Sequence, residues 1–447
     1  MKKIEEKVLD VVDENRDQFI EFLRDLIKIE SVNPVFKDSE TKEEKEAQEF
    51  LSQKLESLGF KTELWEPDVK RLEKYRGEPG FTEDREFDDR PNLFGKREGT
   101  GDGKSLILTG HIDVVGADPD EENWKYDPFS ATIADDRIFG RGAVDMKGGI
   151  AAMIMAVESI LDAGVNLAGD VSVGTVVDEE TGSMGMLSFI ERGFHKGADA
   201  GLMTEPTDLE PSLVSRGILW GRIKVRGKSG HIEIQQPHWS EDGAVDAVAK
   251  ARKLLKGIDY INGEWKQLDK KNHQFLPRPC QVNVSMLEAG QHPSSYAEEC
   301  TITVDVQYLP GETDETGLGG KVKKQVEKWL SRVADTDPWL REHPPEVEWF
   351  VDADTAEVDP CEPIVEITSD ALGKLGLNSE LSGTEAHTDM TFLTKRGVPT
   401  INLGPGETGV AHQTNENIKI ADYMNAVKLF AMTILNWSGT TGRQDAA

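Results

Sequence analysis

The chain opens with apolar residues at helical spacing. Val8, Val11, Phe19, Phe22, Leu23 and Leu26 recur near a 3.6-residue period among charged positions, which predicts an amphipathic helix. "TKEEKEAQEFLSQKLESLGFKTELWEP" predicts a second one, closed by Gly59 and followed by a strand. From about Asp68 to Gly103 the residues are polar and turn-forming, and predict a loop or insertion. A continuous apolar run at 105–110 then predicts a buried strand, which ends where His111 and Asp113 sit. "GGIAAMIMAVESILDAG" reads as a helix capped by Gly164. "DVSVGTVVDEETGSMGMLSFIERG" reads as strand, acidic turn and helix, and "ADAGLMTEPT" as a strand leading to an acid. Strands alternating with helices predict an α/β fold, a parallel or mixed sheet covered by helices.

The rhythm changes near Leu219. "LWGRIKVRGKS", "QVNVSMLEAG" and "CTITVDVQYLP" alternate apolar and polar residues, as strands with one buried face do. The helices "EDGAVDAVAKARKLLKG" and "GGKVKKQVEKWLSRVAD" intervene. This β-α-β-β-α order predicts a small α+β domain over 218–335, inserted into a larger domain formed by 1–217 and 336–447. After "TDPWLREHPPEVEWF" the α/β rhythm resumes, and the chain closes with a helix from about Ala421 to Trp437 and a disordered-looking tail, "SGTTGRQDAA".

At 447 residues the chain is too long for one hydrophobic core and suits two or three domains. No apolar run is long enough to span a bilayer, and the N-terminus lacks the apolar core of a signal peptide. Cys280, Cys300 and Cys361 are widely spaced and odd in number; they form neither a disulfide framework nor a thiolate metal site, and point to a reducing cytoplasm. The net charge of −31 argues against nucleic acid or an anionic membrane as partner. It is also compatible with a salt-adapted host.

In open α/β sheets functional groups gather at the carboxyl ends of strands. Five such places here carry acids or histidines: His111 with Asp113; Asp145 in "GRGAVDMKGG"; Glu179 and Glu180 in "TVVDEETG"; Glu205 in "MTEPT"; and His412 in "GPGETGVAHQTNEN". Singly, such residues cap helices or face solvent. Together, two histidines and three or more carboxylates without a thiolate suit catalytic zinc, cobalt or manganese.

These motifs, in order and spacing, resemble the co-catalytic metallohydrolases that include acetylornithine deacetylase, succinyl-diaminopimelate desuccinylase, aminoacylase and carboxypeptidase G. The resemblance covers nearly the whole chain. It implies an α/β/α catalytic domain with a mixed sheet, and an inserted ferredoxin-like domain that serves as lid and dimer interface. It implies two divalent ions bridged by Asp145, one completed by His111 and Glu205 and the other by Glu180 and His412. Glu179 would then be the general base, and Asp113 would orient His111. His231 in "VRGKSGHIEI" would reach a partner's site in a homodimer and stabilise the oxyanion. Gly383 and Thr384 would line the substrate pocket.

Two departures stand out. Where relatives that bind a carboxylate usually carry asparagine and arginine, this chain has Ser295 and Gln307. An arginine fork holds a carboxylate with two parallel bonds, whereas glutamine offers a neutral amide. The substrate lacks that carboxylate, presents it elsewhere, or recruits another residue such as Arg216 or Arg278. The sequence therefore predicts a metal-dependent hydrolase of C–N bonds in a small molecule. N-acyl amino acids or related N-acyl amines are the leading substrates. The alternatives are a metallopeptidase, a hydrolase of an unusual substrate such as an aromatic amine or carbamoyl compound, and, remotely, a non-catalytic metal-binding scaffold.

Overall fold

The computed structural model describes residues 2–36, 43–117 and 123–441. Part of the tail expected to be disordered, residues 442–447, lies outside them. The chain divides into two compact units: Met1–Val214 with Glu357–Thr384 and Thr388–Ala447, and Ser215–Ala356 with Glu385–His387.

The first unit is built on a mixed sheet. Its spatial order is β1 (Lys61–Trp65), β2 (Asn92–Arg97), β6 (Val171–Val176), β3 (Leu106–His111), β7 (Ala200–Met203), β15 (Thr400–Asn402), β8 (Ser212–Ser215) and β13 (Ala356–Glu357), with β14 (Ser382–Thr384) paired to β8. The four neighbours β6, β3, β7 and β15 run parallel. All six residues of β3 are buried, which explains its apolar run: a central parallel strand is covered on both faces. The helix Lys147–Asp162 is apolar all round for the same reason. It packs between the long C-terminal helix Ile420–Ser438 and the N-terminal helices. That N-terminal segment forms two helices, Lys2–Glu14 and Arg16–Lys28, rather than the single one expected.

Two glycines let backbones meet beside the end of β7. A Cβ on Gly149 would lie 2.1 Å from the Thr204 carbonyl oxygen, and one on Gly404 would lie 2.3 Å from the same atom. Only glycine fits where a helix and a loop both press on the segment that presents Glu205.

The second unit is a ferredoxin-like α+β domain. Its antiparallel sheet has the spatial order β10 (Val282–Ala289), β11 (Glu299–Tyr308), β9 (Gly217–Arg226) and β12 (Glu346–Ala353). The helices Ala247–Trp265 and Gly320–Ala334 connect the strands as crossovers. A third sheet, β16 (Asn417–Lys419), β5 (Arg137–Phe139) and β4 (Thr132–Ala134), belongs to the first unit.

Two expectations need correction. The second unit extends to 356 instead of ending at 335, because β12 pairs with β9 and completes the β-α-β-β-α-β order. The two glutamates of "EVEWF" hid a strand on the sheet's edge. The stretch 68–103 is not all loop: β2 lies inside the large sheet between β1 and β6.

β2 also contributes a buried polar anchor. The Asn92 side-chain amide donates to the Gly185 carbonyl (2.7 Å) and its oxygen accepts from the Val177 N–H (3.0 Å), bracketing the turn that carries Glu179 and Glu180. Asn92→Ala strands two buried backbone groups, each costing about 1–3 kcal/mol. Urea denaturation should show a loss of roughly 2–4 kcal/mol; a loss below about 1 kcal/mol would mean that water or a local shift satisfies the turn.

Candidate metal centre

The parallel strands deliver their carboxyl ends side by side. β3 ends on His111, β6 leads into the turn Glu179–Thr181, β7 leads to Glu205, and β15 leads through a glycine-rich loop to His412. Asp145 comes from the loop before the helix Lys147–Asp162.

Asp145 stands at the middle. Its Oδ1 lies 3.1 Å from His111 Nε2 and its Oδ2 lies 3.2 Å from His412 Nε2. His412 Nε2 is also 3.1 Å from Glu180 Oε2. From His111 Nε2, Glu205 Oε1 is 3.7 Å away and Glu179 Oε2 is 3.9 Å away. All of these side chains are buried or nearly so, except His412, whose side chain is half exposed. Asp178, Ser183 and His412 hold left-handed backbone (φ 70°, 66° and 60°), an uncommon conformation for non-glycine residues that clusters at functional sites.

The orienting contacts differ in detail from expectation. The Nδ1–H of His111 donates to the main-chain carbonyl of Asp113 at 2.9 Å, while the Asp113 carboxylate stands 3.6 Å off. That carboxylate accepts instead from the Asn33 amide (2.9 Å) and from the backbone N–H groups of Glu179 (3.3 Å) and Glu180 (3.2 Å). One acid thereby ties the end of β3 to the turn beyond β6.

Three further residues escaped the sequence reading. Glu416 is fully buried. One oxygen accepts from the N–H groups of Val144 (2.8 Å) and Asp145 (3.2 Å), and the other from Arg141 (2.8 Å). Its only sequence signal is its place at the end of "HQTNE". Asn33 carried no signal, since a lone asparagine before proline reads as a turn. Asp389 is buried, and burial, opposed in part by the nearby Ser183 side chain, pushes it up to about 7.

The charges explain what the cluster lacks. Burial, and then the charge of Asp145, push Glu180 up to about 7. Burial, only partly offset by His111 and reinforced by Asp145 and Asp389, pushes Glu205 up to about 8. Burial also holds Glu179 well above the usual carboxylate range. Hydrogen bonds to Asp145 and Glu180 raise His412 to about 10. Burial opposes charge on His111, but the carboxylates of Asp113 and Asp145 prevail and raise it. Asp145 itself stays below the usual range because both histidines outweigh its burial. So many acids in one dry site cannot all ionise without a cation. His111, Asp145 and Glu180 can each offer one ligand atom within 4.8 Å of one another, and Glu180 Oε1 is buried without a hydrogen-bond partner. The nitrogen and oxygen donors fit a divalent ion of the zinc, cobalt or manganese kind.

The remaining sequence candidates fall elsewhere. Gly383 and Thr384 form β14 in the first unit, where the Thr384 hydroxyl lies 2.8 Å from that of Ser212 and accepts from Asn402 (3.0 Å). His231, Ser295, Gln307 and Arg216 belong to the second unit. His231 is exposed and bridges to Ser295. Gln307 Oε1 accepts from the buried Arg216 guanidinium at 2.9 Å, and Arg216 also donates to the Arg278 carbonyl. Arg278 holds Glu385 with two bonds, 2.8 and 3.0 Å. Among the described residues no helix is long and apolar enough to cross a membrane.

The sequence profile of Peptidase family M20/M25/M40 matches residues 107–436. The chain is 30% identical over 449 residues to the N-formyl-4-amino-5-aminomethyl-2-methylpyrimidine deformylase of Halalkalibacterium halodurans, covering 97% of each chain. It is 28% identical over 442 residues to the Bacillus subtilis protein of the same name, covering 95% of this chain and 96% of that one. In fold it is similar to the di-peptidase Dug1p from Saccharomyces cerevisiae, with a TM-score of 0.73, 16% identity, and coverage of 97% of this chain and 98% of that one.

A divalent ion held by this cluster would have to displace the protons on Glu180, Glu205 and His412. All three groups are raised, so metal-free protein carries more protons here than ordinary side chains would, and raising the pH removes competitors. The apparent affinity for Zn2+ should rise at least about tenfold from about pH 6 to about pH 8. Calorimetry in two buffers of different ionisation enthalpy should register proton release. Affinity flat across that range would mean the cluster is not where the metal binds.

Proposed function

As the chain belongs to peptidase family M20/M25/M40 and acts on C–N bonds, we propose that it removes a formyl or other short acyl group from a heterocyclic amine that carries no α-carboxylate. One observation carries the choice of substrate. Gln307 stands where a carboxylate-binding arginine is expected, and the nearby buried arginine, Arg216, is already spent on Gln307 and the Arg278 carbonyl. Arg278 is likewise engaged by Glu385. No free guanidinium fork is left among these residues for a substrate carboxylate. The names of the two bacterial relatives, deformylases of an aminopyrimidine, support the same substrate class.

In this reading His111 and Glu205 would hold one divalent ion, Glu180 and His412 a second, and Asp145 would serve both. Bound there, the ions supply Lewis acidity toward a carbonyl and toward water. Glu179 takes a proton from the attacking water as its oxygen bonds to the acyl carbon, and returns it to the nitrogen as the C–N bond breaks. Burial raises the affinity of the ionised Glu179 carboxylate for a proton, which strengthens it as the base of that exchange. Asp113 keeps Glu179 in place through the backbone of its turn. His231 donates to the oxyanion of a second copy's site.

A homodimer through the second unit supports that role. β10 is an edge strand, and Val284, Met286 and Leu287 on it are about half exposed. An unpaired apolar edge suits pairing with its own twofold copy. Cys280, Cys300 and Cys361 are all unpaired, which suits a reducing cytoplasm.

The test is a hydrolysis panel on metal-loaded enzyme: an N-formyl aminomethylpyrimidine, N-formyl and N-acetyl amino acids, and dipeptides. The formylated pyrimidine should lead in kcat/KM by about a hundredfold, on the order of the 2–3 kcal/mol that a mismatched charged group costs. Preference for the amino-acid substrates would return the protein to the deacylases of N-acyl amino acids, and preference for dipeptides to the peptidases. Glu179→Gln should keep its metal and lose about 10²–10⁴ in kcat; near-normal turnover would remove Glu179 from the base role.

A further inference from the structure

The helices Ala247–Trp265 and Gly320–Ala334 of the second unit carry nine basic and three acidic side chains, a net +6 in a chain whose total is −31. Their apolar faces are buried through Leu254, Ile258, Val326 and Leu330. The bases crowd the other sides. Lys324, Lys328 and Arg332 follow one another at four-residue spacing, where like charges repel, and the one acid in that helix, Glu327, accepts from the Trp349 indole N–H at 2.8 Å. Such a face gains from an anion.

Between the two helices lies a groove of about 440 Å³, and Lys253, Lys256, Tyr260, Trp329, Arg332 and Val333 line it. Gly257 sets its depth: a Cβ there would lie 2.7 Å from Val333, so the helices touch at that point. The Gly257 carbonyl accepts from the Trp329 indole N–H at 2.7 Å and fixes that ring as a wall. The Tyr260 ring is 62% exposed, with Lys256 Nζ 6.0 Å from its centre. Lys253 is paired with Asp337. Among the described residues no carboxylate lies within ion-pair distance of Lys256 or Arg332.

We propose that this groove binds a small aromatic phosphate of the nucleotide type. The planar group lies against Tyr260 and Trp329, and the phosphates meet Lys256 and Arg332, whose planar fork suits a phosphate edge. A long polyanion is the wrong occupant. Outside these helices the chain carries −37, the total less their +6, and would repel every segment beyond the groove.

Calorimetric titration of full-length, metal-loaded enzyme with ADP, adenosine and pyrophosphate as probes tests the site. ADP should bind once per chain, with adenosine and pyrophosphate each at least about tenfold weaker, because each offers half of the complement. The double variant K256E/R332E should weaken ADP at least about tenfold, and Tyr260→Ala should weaken ADP and leave pyrophosphate unchanged. These side chains are exposed, and circular dichroism checks that the variants fold. ADP held at the metal centre would ignore both variants, and that result overturns the proposal. Equal affinity for ADP and pyrophosphate overturns it too. So does self-association by light scattering that K256E/R332E abolishes while ADP fails to bind, which would make the occupant a second copy.

Discussion

Asp145 lends one carboxylate oxygen to His111 and the other to His412, and much of the first unit serves to hold it there. The two histidines lie about three hundred residues apart in the chain. They meet because β3 and β15 each end beside β7, and because Glu416, just beyond His412, binds the backbone of Asp145 itself. Arg141 closes that knot from the strand side, and β16 pairs with β5 to bring the two loops into register.

The same crowding gives the centre its chemistry. Glu179, Glu180 and Glu205 are buried within reach of one another, and all three are pushed toward the protonated form. A structural core would not keep such a group, since each buried acid adds repulsion that no packing offsets. A cation removes the conflict. Glu179, beside these acids, is held by the Asp113 carboxylate through its backbone N–H.

Charge is also divided between the units. Acid collects around the centre in the first, while the second gathers bases on two helices and spends its buried arginine internally. Arg216 ties the start of β9 to the end of β11 through Gln307. The groove between the helices arises separately, from a glycine that lets two helices touch.

Much of this was legible in the chain. Apolar runs and alternation marked β3, β6, β7 and the sheet of the second unit, because burial on two faces or one leaves a periodic trace. The acids and histidines at strand ends named the centre, since no packing role explains them together. Two strands were hidden: β12, at the edge of its sheet, is too charged to announce itself, and β2, inside the large sheet, sits within a turn-rich stretch. What only the tertiary structure decided are the contacts between distant segments. Asn33 donates to the Asp113 carboxylate and the Thr181 hydroxyl, Glu416 accepts from the backbone of Val144 and Asp145, and Asp113 uses its carbonyl on His111 and its carboxylate on the backbone of Glu179 and Glu180. Local pattern records which side chains are buried; it carries no record of which backbone atom a buried polar group meets, because that partner is supplied by the fold.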